Sequence, residues 1–529
     1  MATDTAQRWL SNAVVDAAIL AACILAAAGL SLALGQDANW DLQNYHFYNP
    51  WAWMAGARAY AQDMVAAQLQ TYHNPLPDLP FYAMVSAGWE PTTIAMAMAI
   101  PAAVAAFLLW KLATRLFRSG SRTQRFSAIA CAFIIGTTSG IGFGVLGTTM
   151  NEWPGTALIM ASLYVIVRRF TGAGARMASP AAILAGLLAG CATGIKLTFG
   201  VYAMAICAGL LLCAPTARKA ITDALSFGLA VLAGTAISAG AWMWSLWEHF
   251  GNPIFPYANK WFNSPWWGQQ NVLHRPFGPH TLGEWIVFPF SLSAPPAFFV
   301  TEVGYVDGRI AAVYGLTLVA LVAALLARRR DPWTLSVEWR FLAAFAVASF
   351  VLWTAVYSIF RYVLPLLLLS GAFIVALLSR LVQPAVRVPA YAMSALLLVA
   401  TTTVPDWWRT GFGAQWFEVD LPKLDRNALV LLTSDAPMSY VLPFFPDDAR
   451  FLGINNNISD ARRRNLLEQT IRQRIGGHAG PLYSLSYPTG SGVDALLERQ
   501  IYKITETCLP IVTNMRTSPM EICRVVQAR

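Results

Sequence analysis

The sequence predicts an all-α polytopic membrane protein of about eleven transmembrane helices, carrying a small C-terminal extracytoplasmic α/β domain. Three observations carry that prediction. Of 529 residues, 56% are hydrophobic and only 12% charged, against roughly 25% charged in a soluble domain. Apolar runs of spanning or near-spanning length, about 20 helical residues for some 30 Å of hydrocarbon, begin near Asn12, Thr92, Phe126, Met150, Pro180, Leu197, Ile221, Arg309, Arg340, Val363 and Pro389. After Val404 the long apolar runs stop and charges of both signs return. This composition excludes a soluble globular enzyme. The net charge of +9 reads as a bias in the loops of a membrane protein, so no nucleic acid is expected as a partner.

The first run, Asn12 to Leu34, is too long for the apolar part of a signal peptide and has no small-residue cleavage site before Asp37, so it reads as a retained helix. Basic residues then set the orientation. Arg8, the run Lys111 to Arg125, Arg168, Arg169, Arg176, Arg218, Lys219, Arg328 to Arg330, Arg340, Arg380 and Arg387 fall on one side if the N-terminus is cytoplasmic. The opposite loops hold only Arg58, Lys196, Lys260, Arg275, Arg309 and Arg361. An odd number of crossings then puts the C-terminus outside.

Two domains follow: residues 1–404, a polytopic membrane domain with large outer loops at 35–91 and 242–308, and residues 405–529, an extracytoplasmic α/β domain. Loops of that length inside a compact domain are usually functional. In the tail, Ala428–Thr433 and Arg450–Ile454 read as strands, Asn465–Ile475 and Val493–Ile504 as helices. Cys508 and Cys523 flank a strand–turn–strand pattern in an oxidising compartment, where a disulfide would persist; the alternative is two buried thiols. The other five cysteines sit in apolar runs, where a free Cys acts as a small hydrophobe.

The first outer loop opens on Asn39-Trp40-Asp41-Leu42-Gln43-Asn44-Tyr45-His46-Phe47-Tyr48. In a helix, Asp41, Tyr45 and Tyr48 share one face, a carboxylate with two phenols at the membrane surface. Aromatics collect at headgroup level without chemical purpose, and Asp41 could be only a helix N-terminal charge. Further on, His73-Asn74-Pro75-Leu76-Pro77 bends the chain before a short apolar piece, Leu79 to Gly88, too short to span. Glu152, in the short loop Leu146 to Gly155, lies at the same membrane face as Asp41. Two carboxylates on one face can divide the work of a general base and of orienting charge or holding a metal. Lys196 ends a Gly-rich run with no room for a loop, where it either binds a phosphate at headgroup depth or snorkels. Arg361 is a second phosphate contact or an interface anchor. The second outer loop, from His249 to Phe262 and on to Trp266, Trp267, His274 and His280, is rich in aromatics, Asn and Gly; these suit sugar stacking and an interfacial loop equally. No P-loop or nucleotide-binding glycine motif is present.

An acid in a large first outer loop (Asp41), the segment His73-Asn74-Pro75-Leu76, a second acid in the next outer loop (Asn151-Glu152) and a Lys after a Gly-rich fifth helix (Lys196) together resemble the GT-C superfamily of integral membrane glycosyltransferases. Within it the likeness is to the protein mannosyltransferases and the lipid A aminoarabinose transferase, over roughly the first 215 residues. The resemblance implies inverting transfer of a sugar from a polyprenyl-phosphate carrier to a lipid, glycan or protein acceptor on the extracytoplasmic face. It implies Asp41 and Glu152 as the catalytic acids and Lys196 as the donor-phosphate contact; Arg361, read from its own place at the outer end of the ninth span, is a second candidate for that phosphate. Tyr45, His46, Tyr48 and Asn74 become candidate substrate contacts. His73 stands where one relative has a metal ligand, so a divalent metal is a possible cofactor; no other is indicated. The sequence departs from the family in lacking an Asp-Glu pair at Asp41-Leu42 and in having Glu rather than Asp at 152. Two other functions compete. A lipid-linked-sugar flippase or transporter would show repeated halves and ionisable residues at the midplane, and a glycan polymerase or ligase would rely on late-loop residues such as His274, Arg275 and His280.

Overall fold

The structure is a computed structural model that describes residues 2–56, 58–170, 179–269, 277–326, 335–488, 492–504 and 508–528. Helices stand at all eleven expected positions: Ala2–Leu34, Pro91–Met98 continued by Ile100–Leu116, Arg122–Thr137, Glu152–Phe170, Ser179–Ile195, Gly200–Cys213, Ala217–Phe250, Arg309–Leu326, Val337–Val356, Leu364–Leu381 and Arg387–Thr401. Among the described residues, seven are long and apolar enough to cross a membrane, and Pro180–Ile195 and Leu197–Cys213 are shorter apolar helices. The molecule is a multi-pass membrane protein. Local chemistry marks many of the helix ends. Ser121 and Gln124 form a reciprocal capping box, Pro sits in the first turn of several helices where its missing N–H costs nothing, and Arg168, Arg169 and Arg380 occupy last turns, where the helix dipole favours a cation.

The Gly-rich run has a packing reason. Gly186, Gly190 and Gly194 recur every fourth residue on one face of Ser179–Ile195, and that face lies directly on Ala217–Phe250. A Cβ at Gly190 would collide with the Val231 carbonyl oxygen, one at Gly194 with Ser238 Oγ, and one at Gly234 of the facing helix with the Leu187 carbonyl oxygen. Small residues let the two backbones touch, the usual device where lipid offers no hydrophobic drive for helix association. The second helix also runs further than expected. It continues past Trp242 to Phe250 and stops at Gly251, whose φ of +66° suits glycine. The second loop therefore begins about nine residues later than the sequence suggested.

The first loop is compact. It contains β1 (Gln36–Asp37), a π-helical turn at Leu42–His46, helices Tyr48–Met54 and Arg58–Ala61, 3₁₀ turns, and helix Leu79–Ser86, which accounts for the short apolar piece. β1 pairs antiparallel with β2 (Arg409–Thr410), so the chain on either side of the bundle is joined at one end. A seven-stranded sheet follows: β3 (Val419–Asp420), β4 (Leu429–Leu432), β5 (Arg450–Gly453), β6 (Leu482–Ser486), β7 (Ile501–Lys503), β8 (Leu509–Thr513) and β9 (Met520–Gln527). Its order is β3-β8-β9-β6-β4-β5, with β7 also on β9. β4 is parallel to β5 and β6, and β6 and β9 are antiparallel. β4 is buried throughout, as expected of a central strand with both faces covered.

Two tail expectations need correction. Val493–Ile504 is not one helix: helix Gly492–Leu497 ends early, Gln500 takes φ of +58°, and the chain then enters β7. β6, the strand between β4 and β9, was missed because its polar Ser484 and Ser486 mask an apolar run. The Cys508–Cys523 disulfide is formed, joining the chain just before β8 to β9.

The sheet is not separate from the loops. Met64, Trp242, Phe250, Phe255 and Trp267 are buried in one core with Leu429, Leu431 and Leu452 of the sheet. The aromatics of the second loop, which suit sugar stacking and an interfacial loop equally, are in part taken up in packing: Phe250, Phe255 and Trp267 are buried while Trp261 is exposed, and Asn252 and Asn259 are fully buried and tie the loop to itself. The glycine interface predicts an asymmetry between two substitutions. Gly190→Ala should cost about 1–3 kcal/mol by overpacking, whereas Gly228→Ala, on the facing helix but with nothing within 4 Å of the added Cβ, should leave Tm unchanged or slightly raised. Thermal unfolding of the two purified variants distinguishes them.

Candidate functional site

Four of the sequence-selected residues meet at the end of the bundle beneath the first loop. Arg361 Nη1 donates to Asp41 Oδ2 at 2.7 Å, Lys196 Nζ donates to Glu152 Oε1 at 2.5 Å, and Arg361 Nε lies 3.8 Å from the same Glu152 oxygen. Positive and negative groups alternate, with Arg361 joining the two acids. Tyr362 closes the group, its ring centroid 4.6 Å from Lys196 Nζ and 5.5 Å from Arg361 Cζ. Glu152 is fully buried, with Oε2 unpartnered, while the Lys196 and Arg361 side chains keep 18% and 12% of their exposure. The cations are therefore the members an incoming anion can reach.

Each side chain has a separate support. Asp41 follows β1 and a cap in which Asn39 Oδ1 accepts from the Leu42 N–H at 2.9 Å. Glu152 is the first residue of its helix, where the helix dipole favours an acid. Lys196 sits at the break between two short helices, its backbone extended. Arg361 lies in a 3₁₀ turn, Phe360–Val363, held by the Phe360 N–H donating to the Val300 carbonyl at 2.8 Å and by Trp353 Nε1 donating to the Ile359 carbonyl at 2.8 Å.

Sequence reasoning missed the residues that hold these pieces in register. Asp37 accepts from both the backbone N–H and hydroxyl of Thr149, at 2.8 and 2.9 Å, and so locks the first loop to the loop bearing Glu152. Asp78 Oδ1 lies 2.8 Å from His46 Nδ1 and accepts from Asn151 Nδ2 at 3.1 Å. Glu302 accepts from Thr301 and Trp407 near Arg361. The only hint in the sequence was an acid at the edge of an apolar run.

Other expected contacts fall differently. Tyr45 stays beside the site, edge-on to His73 with centroids 5.2 Å apart. Tyr48 does not share its face. The π turn at Leu42–His46 adds residues per turn and rotates Tyr48 away, where its hydroxyl donates to Asp63 Oδ2 at 2.9 Å. Asn74 is committed to the backbone: Nδ2 donates to the Gly194 and Ser238 carbonyls at 2.9 and 2.8 Å, and Oδ1 accepts from Leu76. It pins the first loop to the ends of the glycine-packed helices, beside Lys196. His73 Nε2 is 2.9 Å from the Tyr257 hydroxyl, and among the described residues no three ligating groups gather around it. His274 and Arg275 lie outside the described residues, and His280 is exposed.

Electrostatics separates the titratable groups. Burial alone would raise the Asp41 carboxyl, but Arg361, then His46 and Lys196, outweigh it and hold Asp41 below the ordinary carboxylate value. Glu302 is lowered likewise, burial being outweighed chiefly by Arg361. Burial pushes His73 down to about 4. His46 moves the other way, because the Asp78 carboxylate outweighs its burial.

Architecture decides the fold. Over 96% of this chain and 97% of the other, the structure matches ArnT from Cupriavidus metallidurans bound to undecaprenyl phosphate, with a TM-score of 0.52 and 12% identity. The chain shares its fold with that protein. The apo state of the same ArnT matches over 97% and 98% of the two chains, at a TM-score of 0.50 and 11% identity. No family model matches this sequence, and no curated protein does. The likeness in fold thus extends well beyond the first 215 residues, through the bundle and the tail.

The two histidines give the site a pH signature. A buried His73 titrating near 4 in the fold, against about 6.5 unfolded, lets the unfolded chain bind the extra proton, so stability falls as pH drops from about 6.5 towards 4. His46, raised in the fold, has the opposite sign: its contribution is full at low pH and fades as pH rises through its folded value. Tm measured from pH 7 to pH 5 should therefore fall less in His73→Gln than in the unaltered protein.

Proposed function

We propose that this protein is an inverting glycosyltransferase that moves a sugar from a polyprenyl-phosphate carrier to an extracytoplasmic lipid, glycan or protein, in a bacterial inner membrane with the N-terminus cytoplasmic. The observation that carries this reading is the convergence of Asp41, Glu152, Lys196 and Arg361 at one end of a GT-C bundle. Undecaprenyl phosphate in the ArnT of similar fold supports the donor class. Residues 405–529, folded onto the first loop at that end, form the extracytoplasmic domain in this reading, residues 1–404 being the membrane domain.

The acceptor hydroxyl attacks the anomeric carbon as the bond to the phosphate oxygen breaks. Asp41 takes the acceptor proton, and the departing polyprenyl phosphate leaves with its negative charge held by Lys196 and Arg361. A paired carboxylate is a poor base. Donor binding corrects this, because Arg361 turns from Asp41 to the phosphate and the freed carboxylate becomes more basic while its proton donor sits beside it. Glu152 keeps Lys196 charged and aimed, and Tyr45 and His46 line the approach. A divalent cation does not fit this donor set: each carboxylate already faces a guanidinium or ammonium group, and His73 is engaged by Tyr257. No step here uses one.

Transfer of radiolabelled sugar from a panel of polyprenyl-phosphate sugars to envelope acceptors tests the reading in purified, lipid-reconstituted protein. Asp41→Asn should lose about 10²–10⁴-fold in kcat while donor binding persists, and Lys196→Ala should weaken donor binding. Donor binding with no transfer by the unaltered protein to any acceptor would overturn the proposal. The pH profile adds an independent check. In free enzyme Asp41 is held low, so the acid limb of kcat/KM should fall below about pH 4; Arg361→Gln removes the main opposing charge, leaves burial to act, and should move that limb upward.

A further inference from the structure

At the other end of the bundle lies a cavity of about 410 Å³ that the reading above leaves unused. It is enclosed where the last turns of Ile100–Leu116 and Leu364–Leu381 meet the first turns of Arg122–Thr137, Val337–Val356 and Arg387–Thr401. Arg380 is sixteen residues along its helix from Leu364, so this cavity is about 24 Å from the end where Arg361 works.

Its lining is divided by chemistry. The exposed Arg118 and Arg380 and the half-buried Arg387 line it together with the apolar Phe117, Leu321, Trp339, Phe373 and Leu377. No carboxylate lines it among the described residues. Phe117 and Phe373 both meet Trp339, with centroids 5.8 and 6.0 Å apart, so the apolar wall is a built surface. Arg387 Nε is buried without a hydrogen-bond partner, a cost that would be removed if the guanidinium turned onto an acceptor oxygen in the cavity. Three guanidinium groups above an apolar wall, set between membrane helices, fit an amphiphile with an anionic phosphate head. A soluble anion would gain nothing from the wall, and a zwitterionic lipid would bring its own cation towards the arginines.

We propose that this cavity binds the phosphate head group of an anionic phospholipid, with an acyl chain along Phe117, Trp339 and Phe373. Basic clefts between transmembrane helices are the usual seats for such head groups. The site is independent of the transfer reaction and stands whatever that reaction proves to be.

The test is lipid retention. Full-length protein, delipidated in detergent and offered equal amounts of phosphatidylglycerol and phosphatidylcholine, is weighed by native mass spectrometry. Phosphatidylglycerol should be retained preferentially, and Arg380→Gln with Arg387→Gln should weaken it by roughly fivefold per arginine. Arg380→Lys with Arg387→Lys, which keeps the charge, should retain it and so separates charge loss from misfolding. Equal retention of the two lipids, or unchanged retention in the glutamine double variant, overturns the proposal. Displacement of the lipid by inorganic phosphate at matching concentration overturns it too, because the site would then read a free anion and not a lipid.

Discussion

The site depends on charge neutralisation in a poorly solvated space. Asp41 and Glu152 are both buried, and a buried carboxylate without a partner is costly enough to protonate instead. Arg361 answers Asp41, Lys196 answers Glu152, and Arg361 links the pairs. Removing any one leaves its partner unbalanced, so the four act as a unit and their single-variant effects will not add. In the proposed reading the same constraint makes the site receptive: a donor phosphate that took over Arg361 and Lys196 would restore neutrality only if an acid picked up a proton, which would couple donor binding to base strength.

That group is held by contacts far apart in sequence. The glycine face of Ser179–Ile195 brings it against Ala217–Phe250 closely enough for Asn74 to reach a carbonyl of each, and this sets where Lys196 emerges. Asp37 and Asp78 tie the first loop to the turn that presents Glu152. The β1–β2 pairing and Arg516 donating to Gln43 fasten the tail to that loop. Sheet, loop and bundle are therefore one support, in which packing fixes backbone and hydrogen bonds fix side chains.

Much of the architecture was legible because membrane helices announce themselves by length and hydropathy. Asp41, Glu152, Lys196 and Arg361 were selected as charges at apolar boundaries, where burial makes a charge conspicuous. Asp37 and Asp78 satisfy the same description, but their importance lies in partners such as Thr149 and Asn151, which only the tertiary fold brings near. Tyr48 was misplaced because helical spacing assumes a constant turn and the π segment violates it. Asn74 looked like a polar residue awaiting substrate, yet every polar atom of its side chain is already spent on the backbone. Val493–Ile504 failed because a strand pairing with β9 outweighed local helix preference.

The short helices beside Lys196 have a consequence for the lipid around them. Pro180–Ile195 is sixteen residues, about 24 Å of rise, less than the roughly 30 Å of hydrocarbon in an ordinary bilayer. A bilayer adjusts to a short helix by thinning or by letting flanking side chains snorkel, and Lys196 stands where both would act. In the proposed reading either adjustment narrows the gap between the headgroup layer and Lys196, so that a carrier lipid would meet the site with its phosphate at that height and its chain still in oil.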